Sequence, residues 1–198
     1  MNAEDEGCKG GLKVNMDSLL ISYCSPTLAR LKMASLICLK REDAGSDFKK
    51  IIDSYNHKYN QKGLYFRVLH HCCARSLVYV YRPDMVAAYL STPTVSRFLQ
   101  SYGYRREDAL SAYLARLEKR FRKESDFPHE TGIFLGYPLE DVCGFILNKG
   151  NGAKLCGCWK VYGNAEQAKH LFKTFKACRQ HYINRFAVGI NLETLIVA

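Results

Sequence analysis

Apolar residues along this chain recur with two periods, and the changes between them mark out the elements. From Met16 to Lys32, Leu19, Leu20, Tyr23, Leu28 and Leu31 fall on helical turns. A break is expected at Ser25-Pro26, because proline disfavours helix in the residue before it. ASLICLK (34–40) reads as a short strand. Residues 46–61 return to a helical period, with Ser46 placed as N-cap and Phe48, Ile51, Ile52 and Tyr55 on one face. Gly63 ends that helix. LYFRVLHH (64–71) and SLVYVYR (76–82) are rich in β-branched and aromatic residues and close enough in sequence to form a hairpin.

Pro83 opens a helix at a first-turn position, and helical spacing resumes over 93–102 and 107–123. In the latter, Leu110, Tyr113, Leu114, Leu117 and Phe121 share a face. TGIFLGY (131–137) reads as a buried central strand built on Ile133, Phe134 and Leu135. Gly136 then allows a turn, Pro138 pre-sets the backbone of the next helix, and Glu140 and Asp141 complement its first-turn dipole. After a KGNG turn (149–152), KLCGCWKVYG (154–163) reads as one more strand. Asn164 and Gln167 make a capping box for a helix reaching about Phe186, whose apolar face carries Ala168, Leu171, Phe172, Phe175, Cys178, Tyr182 and Phe186. This order predicts an α/β (mixed α+β) domain over 16–198 after a flexible tail at 1–15. It also predicts a single mixed sheet of about five strands under helical cover.

Composition narrows the class. At 198 residues, 47% of them hydrophobic and 24% charged, the chain suits one globular domain rather than a disordered segment. Its formal charge of +10 draws it toward anions such as nucleic acid, phosphates, anionic cofactors or acidic proteins. The opening MNAEDEGCKGG is acidic where a signal peptide would be basic and then apolar, so no targeting segment is expected. No uncharged apolar run approaches the ~20 residues that span a bilayer. In that setting nine cysteines, an odd number without disulfide spacing, point to reduced thiols in a cytoplasmic protein.

FPHETGIFLGYPLEDVCGFI (127–146) and KLCGCWKVYGNAEQAKHLFKTFKACRQHY (154–182) resemble one uncharacterised bacterial family, catalogued as a domain of unknown function. SYCSPTLARLK near the start and RVLHHCCARSLVYVYRP in the middle resemble it too, so the likeness covers nearly the whole chain. The resemblance implies a bacterial cytosolic protein of about this length. It carries over no reaction, cofactor or catalytic residue.

Four groups of residues carry candidate chemistry. His129-Glu130 sets a histidine beside a carboxylate, a pairing used in acid–base work and metal binding. The pair is not HExxH, since Ile133 stands three residues after Glu130. Neighbours in an extended chain also face opposite ways. A seven-residue strand would hold its ends about 20 Å apart, so His129 and the Pro138 turn are expected in different places. His70, His71, Cys72 and Cys73 offer metal or haem ligands at the end of a strand, and Cys156 and Cys158 would share a strand face, but no CxxC pair is present.

The third group is the turn after Trp159. There is neither GxGxxG nor Walker A sequence, but CWKVYGN leads into a capped helix whose N-terminus suits an anion. Trp159, Lys160, Tyr162, Gly163 and Asn164 are therefore candidate contacts for an anionic small ligand or cofactor. The fourth is basic surface. Residues 154–185 hold seven basic residues against Glu166, and residues 97–123 hold eight against three acids. Such stripes suit a phosphate backbone, although no recognised nucleic-acid motif accompanies them. The readings are thus an anionic ligand at 159–164, nucleic acid on the basic helices, or metal or haem on the His/Cys cluster. No reaction is named by the residues.

Overall fold

The computed structural model describes residues 15–40, 48–72, 75–123 and 127–198. Helix α1 (Met16–Leu28) is followed by β1 (Ala34–Lys40), α2 (Phe48–Tyr59) and a single 3-10 turn (Asn60–Lys62). The hairpin β2 (Tyr65–His71) and β3 (Arg75–Tyr81) leads to α3 (Pro83–Leu90), α4 (Pro93–Ser101) and α5 (Leu110–Lys123). Next come α6 (Thr131–Phe134), α7 (Leu139–Leu147), the short β4 (Leu155–Cys156) and β5 (Lys160–Val161), α8 (Ala165–Ala187) and α9 (Leu192–Leu195).

There are two sheets among the described residues, not the single five-stranded one that the pattern suggested. The larger has the order β1-β3-β2, and the smaller pairs β4 with β5. Every pairing is antiparallel. The helix between β1 and β2 does produce a crossover, but β3 inserts between the two strands it joins, so no parallel neighbours result. The central strand alternates strictly: Val78 and Val80 enter one hydrophobic cluster, while Leu77, Tyr79 and Tyr81 enter another. That alternation places α1, α2, α9 and the end of α8 on one face, and α3 to α7 on the other.

Three further expectations change. First, α1 runs through Ser25-Pro26 without a break. Pro26 stands close enough to the helix end to cost little, and burial of 24–28 holds the last turn. The fully buried Arg82 donates to the carbonyls of Thr27 (3.0 Å) and Leu28 (2.7 Å) that the helix end leaves open. Second, Asn15, assigned to the tail, is the N-cap of α1 and accepts from the amides of Asp17 and Ser18. Third, TGIFLGY holds a helical turn and KLCGCWKVYG a small hairpin. The rest of the expected tail (1–14), the Ser46 cap and Cys73 lie outside the described residues. Among the described residues no helix is long and apolar enough to cross a membrane.

Candidate functional site

Ile133, Phe134 and Leu135 are buried as the apolar run demanded, but on the helical turn of α6 rather than in a strand. Successive amides bond back along the chain: Thr131 to Pro128 O (3.0 Å), Ile133 to Glu130 O (2.9 Å) and Leu135 to Thr131 O (3.0 Å). Gly136, at φ +79°, then reverses the chain so that the Tyr137 amide reaches Gly132 O at 2.9 Å. The carbonyls at this turn are taken by side chains from elsewhere. Tyr79 Oη donates to Phe134 O, and Tyr89 Oη donates to Tyr137 O at 2.7 Å. The four-residue helix and the reversal at Gly136 replace an extended run of about 3.3 Å per residue, so the two ends of this stretch are brought together.

After Pro138, the N-cap of α7, Asp141 sits in the first turn and is almost wholly buried. Its carboxylate does more than complement the helix dipole. Oδ1 accepts from the amides of Tyr162 (2.7 Å) and Gly163 (2.8 Å), and Oδ2 accepts from Trp159 Nε1 (2.7 Å). Glu140 Oε1 takes the Asn164 amide at 3.3 Å. These charge-assisted bonds pin the chain between β5 and α8 onto α7. The close approach needs glycine at 144, where a Cβ would lie 2.5 Å from the Tyr162 side chain.

Between these parts lies a cleft of about 470 Å³, lined by Phe127, His129, Leu135, Tyr137, Phe145 and Trp159, with Gly132, Val142, Asp141 and Lys160 completing it. Tyr137 stacks on Trp159 (centroids 4.9 Å, 24°), and Phe172 meets the indole edge-on at 4.6 Å. On the other side the exposed His129 stands edge-on to Phe145 at 5.3 Å. Lys160 Nζ donates to Gly150 O at 2.7 Å and lies 5.9 Å from the Phe145 ring centre. Burial, with a smaller contribution from Cys158, pushes the Tyr137 phenol up to about 12. The Asp141 oxygens already have partners, so the polar groups free to meet a ligand are the His129 ring and the remaining protons of Lys160. Aromatic walls with two such groups suit stacking on a planar ring and pairing with an acid.

The candidates from the sequence are thus divided. His129, Trp159 and Lys160 line one cleft, even though a strand at 131–137 would have kept His129 far from the Pro138 turn. Glu130 turns away from His129; it is fully buried, ion-paired with Arg120 and 3.3 Å from Tyr104 Oη. Tyr162 packs against Gly144, and the Gly163 and Asn164 amides are held by Asp141 and Glu140. The amides of the turn just before α8 are therefore already held by the protein's own carboxylates, and the Asn164 side chain caps the Gln167 amide.

His70 and His71 diverge. The former packs toward Phe121 of α5, while the latter stacks on Phe48 of α2 and bonds Ser76 Oγ through Nδ1 at 2.7 Å. Cys72 Sγ donates weakly to Arg75 O at 3.6 Å. No group of three or more potential metal ligands occurs among the described residues. Cys156 ends β4 opposite Lys160, and Cys158 sits in the turn beyond it, so the two thiols do not share a strand face; both are exposed. Along α8, Lys169, Lys173 and Lys176 are exposed, with Lys169 paired to Glu166.

Tyr137, Asp141 and Phe145 complete the cleft, and nothing in the local sequence pattern marks them as ligand contacts. Asp141 has one local signal, a carboxylate in a first turn, and that signal points to its own helix. The comparison with known families agrees with the likeness drawn from the FPHETGIFLGYPLEDV stretch. Residues 20–196 match a family described as protein of unknown function (DUF3793). No curated protein and no solved structure shows significant similarity to the chain.

Proposed function

The chain belongs to this family of unknown function, and from that premise we propose that it is a bacterial cytoplasmic protein binding a small planar ligand with an anionic group. The observation that carries this reading is the 470 Å³ aromatic cleft with Lys160 and His129 at its polar points. The volume lies within the roughly 300–1,000 Å³ typical of small-molecule sites. Tyr137 and Trp159 supply a stacking wall, Phe145 faces them, and Lys160 supplies a cation that its bond to Gly150 orients. The anionic group meets this side chain rather than the 162–164 turn, whose amides are engaged. The formal charge of +10 favours approach of an anion.

Trp159 is the single tryptophan of the chain and lines the cleft, so its fluorescence responds to a ring bound there. Titration with flavin mononucleotide, riboflavin and adenosine monophosphate, alongside thermal melts, tests the reading. The expected result is quenching of Trp159 by a phosphorylated ring compound, weakened about tenfold by Lys160→Met, a loss of about 1.4 kcal/mol. The proposal fails if none of the three changes the emission or the melting temperature at about 1 mM, a concentration that detects binding of about −4 kcal/mol.

A further inference from the structure

Behind the Tyr137–Trp159 stack lies a second cavity, of about 520 Å³. Its walls come from three parts of the fold: Leu31 and Met33 before β1, Met85 and Tyr89 on α3, and Leu171 and Phe175 on α8. Trp159 lines it too, and among the described residues no acidic side chain does. Leu31 and Leu171 are exposed at its edge, 48% and 36% respectively, so the groove opens to solvent across an apolar lip. Methionines on two sides make the walls adaptable.

One charged group enters this apolar space. Lys32 lines the groove, and among the described residues its ammonium has neither a hydrogen bond nor an ion pair. Its Nζ lies 5.5 Å from the centre of the Tyr137 ring. Burial lowers its pKa, opposed in part by Cys24 and Cys158. Lys32 is half-buried, so its ammonium keeps some contact with water while its apolar neighbours thin that hydration, and a carboxylate entering the groove would pair with it there.

We propose that this groove is a second binding site, for amphipathic carboxylates, in which Lys32 pairs with the acid and the methionine- and aromatic-lined walls take the hydrocarbon. A phosphate head group fits less well. Phosphate recognition draws on several donors, backbone amides or a forked guanidinium, whereas this groove presents a single ammonium. An aliphatic carboxylate matches one cation and a long apolar wall.

The test compares octanoate with octanol, which share a chain and differ in charge, by calorimetry and by Trp159 fluorescence on the whole protein. Octanoate should bind at least about tenfold more tightly than octanol. Lys32→Met, which keeps the apolar stem, should erase that preference while leaving octanol binding intact. Lys160→Met should leave octanoate binding unchanged, which separates this groove from the first cleft. Equal affinity for octanoate and octanol in the unmodified protein overturns the proposal without any variant. Retention of the octanoate preference in Lys32→Met, or its loss in Lys160→Met, also overturns it. The reading of the first cleft stands or falls on its own titrations.

Discussion

The central sheet and the β4–β5 hairpin are both antiparallel, yet they are held by opposite means. In the sheet, β3 is flanked on both sides and covered on both faces, and its five residues from Leu77 to Tyr81 are all buried in two apolar clusters. Losing any one contact there leaves many others. The hairpin has two residues in each strand and only a small cluster of its own around Trp159, Val161, Ala168 and Phe175. A ribbon of that size does not stand alone in water. It keeps its place because the Asp141 carboxylate holds an indole N–H and two amides at once. A wall of the candidate cleft thus depends on one buried polar group, while the scaffold behind it depends on distributed packing. Residues that position the cleft should therefore respond to chemical change, and those of the scaffold to volume.

The largest effect of a single substitution is expected from the scaffold. Phe134 is fully buried in the sheet-side cluster, and Phe134→Ala should lower unfolding free energy by about 3–5 kcal/mol in denaturant titration. A loss under about 1 kcal/mol would mean that this turn is peripheral to the core.

Next comes the clamp. Asp141→Asn keeps size and shape, but one side of the carboxamide then presents N–H to the Trp159 indole N–H or to the two amides. About 2–3 kcal/mol should be lost, and the Trp159 emission should shift to the red as the indole loosens. Hydrogen exchange at Tyr162 and Gly163 should rise while β3 amides keep their protection. A uniform rise across both regions would show that sheet and hairpin are not held separately.

A smaller effect is expected where hairpin and helix touch. Gly144→Ala places a methyl against Tyr162, and the strain should cost about 1–3 kcal/mol. Trimming the opposing ring with Tyr162→Ala should rescue part of the loss in the double variant. Additive losses would show that the two sites are not in contact.

The smallest effect on stability is expected at the cleft mouth. His129 is exposed, and His129→Ala should change stability by no more than about 0.5 kcal/mol. Flavin mononucleotide quenching of Trp159 should nevertheless weaken in this variant. Unchanged quenching would leave Lys160 as the only polar contact of the cleft.

Much of the scaffold is legible in local pattern. The β-branched and aromatic runs at 64–71 and 76–82, the apolar face of 110–123, the Asn164 cap and the turn at Gly63 all appear close to where that pattern places them. The segment 131–137 misleads. Its apolar run is three residues long between glycines, too short to show a period, and burial on every side removes the polar positions that would betray one. The hairpin at 155–161 reads as one strand because Gly157-Cys158 interrupts a run of strand-forming residues without the usual turn signature.

The chain's residues alone therefore settle the kinds of elements in the scaffold, the basic charge, the family likeness and the individual candidates His129, Trp159 and Lys160. The tertiary fold alone brings those three into one cleft, sets β3 between β1 and β2, and turns Asp141 toward the hairpin rather than its own helix. The physical reason is the range of the interactions involved. Periodicity and capping arise between residues a few positions apart, so they are written into local pattern. The bonds that shape the cleft join residues 18 to 55 positions apart, from Asp141 to Trp159 and from Tyr79 to Phe134, and they form only after the sheet and helices have brought their ends together.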